Sequence, residues 1–420
     1  MEQTKKAILV GVNLKNNLDF QYSMEELANL ADACGIVVIE KVVQNLDHIN
    51  TSHYVGKGKV NDIHQLVQQE ESDLVIFNNE LSPSQIRNLE EGLNCTIMDR
   101  TSLILDIFYQ RAKTKEAKLQ VEIAQLQYML PRLRNSELSL EQQRGGTGTI
   151  MRGAGETKLE LDRRKIQKQI SELNKQLKDL VARRQTQRKQ RQKSNVPVIS
   201  LVGYTNAGKS TVMNSMLETY NPEAEKSVYE EDMLFATLRT SVRNITLFDN
   251  KSFLLTDTVG FVSDLPHHLV KAFRSTLEEV TESDLLVHVV DYSNPSYEKQ
   301  IEVTNSTLRD IGVKDIPVIY AYNKCDLTDL RIPKINGEKV YLSAKQKVGL
   351  KELTELIENK IFTDYVKCEL VIPYDRGDVV SYFNENATII STSYEKEGTK
   401  IKVECKEKDL DKHQEFVLSC

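Results

Sequence analysis

The chain of 420 residues lacks the features that mark membrane proteins and disulfide-rich secreted proteins. No apolar run approaches the roughly 20 residues that a membrane-spanning helix needs. The six cysteines contain no C-x-x-C pair and are dispersed along the sequence, which favours reduced thiols over a disulfide framework. The apolar residues 7–12 follow two lysines, but no small-residue cleavage site comes after them, and we interpret them as a first strand. We therefore expect a cytoplasmic protein without a membrane span.

Charge is unevenly distributed along a chain whose net charge is −6. Between Arg163 and Lys193 there are twelve Lys or Arg residues and two acidic residues, a local charge of +10 that leaves −16 elsewhere. A basic stretch of this kind on an acidic body predicts an arm that faces RNA or phosphate groups.

One stretch, GYTNAGKST at 203–211, predicts a nucleotide-binding loop. It matches G-x-x-x-x-G-K-[ST], in which backbone N–H groups surround phosphate oxygens, a lysine reaches the β- and γ-phosphates, and a hydroxyl binds Mg²⁺. A strand-like run at 196–201 precedes the loop, and a helix-compatible segment follows it, so that the helix N-terminus would face the anion. The predicted phosphate-binding residues are Gly203, Tyr204, Thr205, Asn206, Ala207, Gly208, Lys209, Ser210 and Thr211.

Two further motifs follow in the order that a GTPase requires. DTVG at 257–260 ends a strand, so the Asp257 carboxylate can hold Mg²⁺ through water and the Gly260 N–H can sense the γ-phosphate. FATL at 235–238 lies in a loop, where the Thr237 hydroxyl can complete the Mg²⁺ shell. We assign Lys209, Thr237 and Gly260 to catalysis, and Ser210, Thr237 and Asp257 to the metal. The remaining residues assigned to the nucleotide here are Phe235, Ala236, Leu238, Arg239, Thr258 and Val259.

The sequence also predicts which base is bound. In NKCD at 323–326, the Asp326 carboxylate can accept hydrogen bonds from the N1–H and the N2 amino group of guanine, a donor pair that adenine lacks. Asn323 would brace the loop, and the stem of Lys324 would cover the purine. Ser343, Ala344 and Lys345 would offer backbone N–H groups to guanine O6. The predicted cofactors are therefore GTP and Mg²⁺.

The residue after DTVG departs from many GTPases. Where they have a glutamine that orients the attacking water, this chain has Phe261. A phenyl ring cannot hydrogen-bond to that water, so we expect intrinsic hydrolysis at about 10⁻⁴–10⁻³ s⁻¹ and acceleration by a partner.

The pattern of elements predicts an α/β multidomain protein. Strand-like residues 7–14, 36–44, 73–78 and 95–98 alternate with helical patterns at 24–33, 59–69 and 82–91, which indicates a parallel α/β domain over residues 1–112. Residues 196–363 would form a P-loop GTPase domain with a doubly wound sheet. Residues 364–420 read as a small α+β domain of βαββ type, with strands at 368–373, 387–394 and 399–405, a helix near 376–385 and a final helix near 409–418.

Between these domains, residues 113–195 predict a long antiparallel helical hairpin. Apolar residues at alternating three- and four-residue steps form a stripe in each half: Leu119, Ile123, Leu126, Leu130 and Leu133, then Leu159, Ile166, Ile170, Leu173, Leu177 and Leu180. The stripes alone favour a dimerising coiled coil. The one-sided charge and the glycine-rich tip at 145–157 instead favour a basic arm with a functional tip.

Motifs across the chain resemble the HflX family of ribosome-associated GTPases. They are YVGKGK at 54–59, LSPSQIRNLE at 81–90, residues 99–133, GETKLELDRR at 155–164 and FATL at 235–238. The resemblance implies a monomer when free that binds the large ribosomal subunit and its rRNA in the GTP form. It further implies splitting or rescue of stalled or idle ribosomes, with the hairpin tip near the peptidyl transferase centre and hydrolysis stimulated by the ribosome.

The chain departs from the family pattern at three places. Arg239 stands where the family usually has Asp, Ala154 replaces Pro, and residues 149–151 lengthen the tip by two residues. Each extra residue extends the chain by roughly 3 Å. We expect such a tip to disturb the antibiotic pocket near the peptidyl transferase centre, as in a resistance-type member.

Two other functions remain open at this point. A nucleotide-dependent RNA remodeller would use Gly56–Gly58 as a separate ATP site, although a lone G-x-G is a weak signal. A GTP-switched coiled-coil scaffold would dimerise independently of salt, whereas an RNA-binding arm would lose affinity steeply with salt.

Overall fold

The computed structural model describes residues 5–15, 19–136, 152–192, 196–222, 241–249, 251–263 and 280–419. Two predicted features lie outside these residues. One is the loop that carries Phe235, Ala236, Thr237, Leu238 and Arg239; the other is the glycine-rich tip as far as Met151.

The N-terminal part is a parallel four-stranded sheet with strand order β2-β1-β3-β4. Its strands are β1 (Lys6–Leu14), β2 (Val37–Leu46), β3 (Leu74–Phe77) and β4 (Thr96–Asp99), connected by α1 (Phe20–Ala33), α2 (Lys57–Gln69) and α3 (Pro83–Leu93). The central strands β1 and β3 are buried on both faces, as continuous apolar runs in a parallel sheet require. Helix α3 begins with a capping box between Ser82 and Gln85. The predicted parallel α/β architecture is confirmed.

Three helices follow: α4 (Arg100–Arg111), α5 (Lys115–Ser136) and α6 (Arg152–Gln192). The predicted apolar stripes of α5 and α6 do pack on one another, in a cluster of Leu119, Ile123, Leu126, Ile170, Leu173, Leu177 and Leu180. The prediction that the tip loop extends to residue 157 is wrong, because α6 already begins at Arg152. Gly153 and Gly155 each disfavour a helix by about 1 kcal/mol relative to Ala, and the long helical segment that follows outweighs this cost.

Helix α5 has a second packed face. Ala117, Val121 and Ala124 belong to the core of the N-terminal sheet, and Tyr128 donates a hydrogen bond of 2.7 Å to Asp99 Oδ1. Arg132 lies 3.3 Å from the other oxygen of Asp99. The helix therefore connects the basic arm rigidly to the N-terminal part.

The central part is a seven-stranded sheet with order β10-β11-β9-β8-β5-β7-β6. The strands are β5 (Val198–Val202), β6 (Ser241–Thr246), β7 (Ser252–Asp257), β8 (Leu285–Asp291), β9 (Val318–Asn323), β10 (Lys334–Asn336) and β11 (Lys339–Tyr341). The five inner strands are parallel, and the edge strands β6 and β10 run antiparallel to their neighbours. Helices α7 (Lys209–Tyr220), α8 (Tyr297–Asp310) and α9 (Leu350–Ile361) belong to this part. The predicted α/β architecture of this part is confirmed.

The N-terminal and central parts share one hydrophobic core. Leu27 and Leu30 of α1 and Leu103 of α4 belong to the same buried cluster as Tyr204 and Phe261 of the central part. The shared cluster places α1 directly against the predicted nucleotide-binding loop.

The C-terminal part is an antiparallel sheet with order β13-β14-β12-β15. It comprises β12 (Tyr365–Ile372), α10 (Gly377–Asn386), β13 (Thr388–Glu395), β14 (Gly398–Lys406), α11 (Glu407–Asp411) and β15 (Val417–Ser419). The predicted final helix near 409–418 is wrong. Helix α11 ends at Asp411, and the chain returns to pair with β12, because Phe416 and Val417 pack against the core of this sheet.

The cysteine prediction holds at four positions and fails at one. Cys34, Cys95, Cys325 and Cys405 are free thiols, but Cys368 is disulfide-bonded. A disulfide forms only between cysteines whose Cα atoms are close in the folded chain. The spacing of cysteines along the sequence does not show which of them come close. Among the described residues, no helix is long and apolar enough to cross a membrane.

Candidate nucleotide-binding site

The predicted phosphate-binding loop connects β5 to α7, and its two glycines are required by the backbone. Gly203 has φ +147° and Gly208 has φ +90°. A Cβ atom at Gly203 would lie 2.2 Å from Val289 O, and one at Gly208 would lie 2.3 Å from Asn323 Nδ2. No other residue fits either position. The loop is therefore built for close approach of backbone groups, with Ser210 and Thr211 in the first turn of α7.

Lys209 is the first residue of α7 and is almost fully buried. Its Nζ donates hydrogen bonds to the carbonyl oxygens of Gly203, at 3.1 Å, and of Tyr204, at 2.8 Å. Burial lowers the pKa of Lys209 to about 8, and the nearby Asp257 acts in the opposite direction. A bound phosphate would add a second anion close to this buried ammonium group.

Ser210 and Asp257 lie side by side at the ends of α7 and β7. The hydroxyl of Ser210 donates a 2.6 Å hydrogen bond to Asp257 Oδ2, and Asp257 is fully buried. A hydroxyl beside a carboxylate is an oxygen donor set that suits Mg²⁺. The third predicted ligand, Thr237, lies outside the described residues. Within the described ranges, no group of three His, Cys, Asp or Glu side chains could hold a metal by itself.

The segment after Asp257 packs tightly against the loop. A Cβ atom at Gly260 would lie 2.7 Å from Thr205 Cα and 2.9 Å from Lys209 Nζ. Thr258 donates a 2.7 Å hydrogen bond to Leu201 O, and Val259 is buried. The hydroxyl oxygen of Thr205 is buried and makes no hydrogen bond to any described residue, as expected of a group that faces a ligand.

Phe261 is held by the loop on both sides. Its N–H donates to Gly203 O at 3.2 Å, and its carbonyl accepts from Thr205 N at 2.7 Å. The ring is 2% exposed and belongs to the core shared with the N-terminal part. This position therefore carries no side chain that could orient an attacking water.

Asn323 braces two loops, in the manner that the sequence predicts. Its Nδ2 donates to Ala207 O at 3.0 Å, and its Oδ1 accepts from Ala344 N at 2.9 Å. Lys324 has φ +61°, and its Nζ pairs with Asp291 Oδ2 at 2.9 Å. Asp326 lies in a 3₁₀ turn (Cys325–Leu327) and is half-buried. These contacts bring the phosphate loop and the base-reading residues together.

The expectation for residues 343–345 needs refinement. The N–H of Ser343 donates to Val348 O at 3.0 Å, and the N–H of Ala344 donates to Asn323. Of the three N–H groups predicted to contact guanine O6, only that of Lys345 is therefore not used within the described chain.

Sequence reasoning missed two residues at this site. Asp291, at the end of β8, holds the Lys324 ammonium group, and its only sequence signal is an acidic residue that ends a strand. Glu26 comes from α1 and accepts a hydrogen bond from the Tyr204 hydroxyl. No local motif marks Glu26, because its contact spans 178 positions in the sequence.

Comparisons with known proteins show which families the chain is similar to. Residues 21–109, 111–191 and 198–324 match family models described as "GTP-binding GTPase N-terminal", "GTP-binding GTPase Middle Region" and "50S ribosome-binding GTPase". The chain is 41% identical over 415 residues to the GTPase HflX of Caldanaerobacter subterraneus, covering 99% of this chain and 94% of that protein.

It is also 36% identical over 401 residues to the GTPase HflX of Escherichia coli, covering 94% and 92%. A solved structure of a GTP-binding protein from Sulfolobus solfataricus in complex with GDP has a TM-score of 0.44 and 23% identity. It covers 85% of this chain and 99% of that chain.

Proposed function

This chain belongs to the HflX family of GTPases, and we propose that in its GTP form it binds the large ribosomal subunit and splits or rescues stalled or idle ribosomes. The observation that carries the proposal is the basic arm on α6, which α5 fixes to the N-terminal part. The match of residues 198–324 to a family model named for 50S ribosome binding supports the same partner.

The basic residues of the arm whose side chains the structure describes are exposed to solvent. Arg164, Lys165 and Lys168 have 70%, 77% and 79% of their side-chain surface exposed. Their ion pairs lie between neighbouring turns of the same helix, and exposed pairs of this kind are worth roughly 0.3–0.5 kcal/mol each. Phosphate groups of rRNA would therefore compete easily for these cations.

The chain is a GTPase that binds GTP, and we assign the steps of hydrolysis to its own residues as follows. Lys209 holds the β- and γ-phosphates, Gly260 senses the γ-phosphate through its N–H, and Asp326 selects guanine. Ser210, Asp257 and Thr237 would hold Mg²⁺, which neutralises charge on the phosphates. Because Phe261 is buried, the partner completes the arrangement of the attacking water.

The remaining expectations follow from this assignment. We propose a cytoplasmic protein that is partly ribosome-associated and monomeric when free.

Protection against antibiotics near the peptidyl transferase centre stays a prediction from the lengthened tip at 149–151. Removal of Thr149 and Ile150 should abolish this protection while sparing ribosome splitting.

Dissociation of intact ribosomes, followed by light scattering, tests the proposed function. Protein loaded with a non-hydrolysable GTP analogue should lower the scattering at stoichiometric concentration, and protein loaded with GDP should leave it unchanged. Equal dissociation in both nucleotide states, or none in either, would contradict the proposal.

A further inference from the structure

A buried ion pair of the N-terminal part is connected to the phosphate-binding loop. Glu26 and Arg100 are 4% and 2% exposed, and a terminal nitrogen of the Arg100 guanidinium donates to Glu26 Oε2. The second guanidinium nitrogen donates to Asn78 Oδ1 at 3.1 Å. Buried charges of this kind are retained only with close partners, because desolvation is costly. The second oxygen of Glu26 accepts its hydrogen bond from outside this part, from Tyr204.

The hydroxyl of Tyr204 forms hydrogen bonds with two other segments of the chain. It donates to Glu26 Oε1, accepts from the Ser263 N–H at 2.6 Å, and lies 2.6 Å from Ser263 Oγ. Ser263 comes three residues after Gly260, in the segment that responds to the γ-phosphate in GTPases. One phenol group thus joins α1, the phosphate loop and that segment.

The backbone of Tyr204 lies in the predicted phosphate-binding loop and contacts two of its functional segments. Its carbonyl accepts from Lys209 Nζ at 2.8 Å, and the next N–H, that of Thr205, donates to Phe261 O. Burial beside Glu26 raises the pKa of Tyr204, so its hydroxyl remains a donor over the physiological range. A shift of this side chain would therefore move the groups that position Lys209 and the segment after Gly260.

We propose that Glu26 is a positioning residue for GTP hydrolysis, acting through the Tyr204 hydroxyl. The N-terminal part then holds the phosphate loop and residues 260–263 in the arrangement that GTP hydrolysis requires. The role concerns the GTPase reaction of the chain itself and does not depend on ribosome binding.

Two single variants and their combination test this role. In Glu26→Gln the side chain keeps its size but loses its charge, and in Tyr204→Phe the ring stays in the core while the hydroxyl is removed. Each should lower the single-turnover rate of GTP hydrolysis without ribosomes about tenfold, the order expected when one positioning hydrogen bond to a charged group is lost. The affinity for fluorescent GDP should change less than about threefold, because phosphate binding by the loop amides persists.

The double variant shows whether Glu26 acts through Tyr204 or whether each substitution disturbs the site independently. If Glu26 acts through that hydroxyl, the double variant should also lose about tenfold, rather than the roughly hundredfold expected of independent sites. Glu25→Gln is the matched control, because it makes the same change at the preceding, exposed residue of α1, and it should hydrolyse GTP at the unchanged rate.

Three results would overturn the proposal: hydrolysis by Tyr204→Phe at the original rate, additive losses in the double variant, or rate losses that only follow the melting temperature. Tyr204→Phe leaves the Glu26–Arg100 pair in place, so the test stands even if Glu26→Gln folds poorly.

Discussion

Replacing Asp326 with asparagine should lower the affinity for GTP by about 10²- to 10⁴-fold, because two charge-assisted hydrogen bonds worth roughly 1.5–3 kcal/mol each are lost. The amide of Asn would place an N–H₂ group against a donor of guanine. Asp326 lies in a rigid 3₁₀ turn, braced from one side by Cys325 N, which donates to Leu342 O at 3.2 Å. The loop therefore cannot rearrange to avoid the mismatch. Equilibrium titration with a fluorescent GTP analogue measures the loss.

The same variant should gain affinity for XTP. Xanthine has a carbonyl where guanine has its N2 amino group, so the asparagine amide can donate to it while its own carbonyl accepts from N1–H. Asp329→Asn is the matched control, because Asp329 is an exposed residue of the same loop and should bind GTP normally. Loss of both nucleotides in the Asp326 variant would show damage to the loop rather than a change of base specificity.

Neutralising the exposed basic residues of α6 should remove most of the salt dependence of binding to large ribosomal subunits. If the arm contacts six phosphates, affinity should fall about 10³-fold between 50 and 200 mM salt for the unmodified chain. Six changes to glutamine should lower the slope of log affinity against log salt by about 4 to 5. The six residues are Arg163, Arg164, Lys165, Lys168, Lys175 and Lys178.

A control variant separates this effect from net charge alone. Six lysines of the C-terminal part are replaced by glutamine: Lys367, Lys396, Lys400, Lys402, Lys408 and Lys412. The overall charge changes equally, yet the salt dependence should stay close to that of the unmodified chain. If both variants reduced the salt dependence of binding equally, the arm would not be the surface that binds the ribosomal subunit.

Short motifs predicted the local geometry at the ends of single strands, because each motif fixes its own backbone. Gly203, Gly208 and Asn323 occupy the positions that the motifs require, and their neighbours leave room for no alternative. Asp291 and Glu26 were not predicted, since each contributes through a partner brought near only by the folded chain. A single sequence offers no local pattern for such a contact.

Only one of the two packed faces of α5 was predicted from the sequence. Its leucine stripe reports the contact with α6, whereas the residues that face the N-terminal sheet, such as Val121 and Ala124, are small or interleaved with polar positions. The face of α5 that packs on the N-terminal sheet affects how the arm can be disabled. A deletion of residues 113–193 would remove part of the core shared by the N-terminal and GTPase parts. Substitutions on α6 leave that core intact and are therefore preferable.

Hydrolysis of GTP with and without purified large ribosomal subunits, for the unmodified chain and for the α6 variant, tests the central claim most directly. Alone, both proteins should hydrolyse GTP at about 10⁻⁴–10⁻³ s⁻¹, because neither has a glutamine at position 261. Subunits at low salt should accelerate the unmodified chain at least about tenfold and leave the α6 variant near its intrinsic rate. No acceleration of the unmodified chain, or equal acceleration of both, would contradict a ribosome factor that acts through its basic arm.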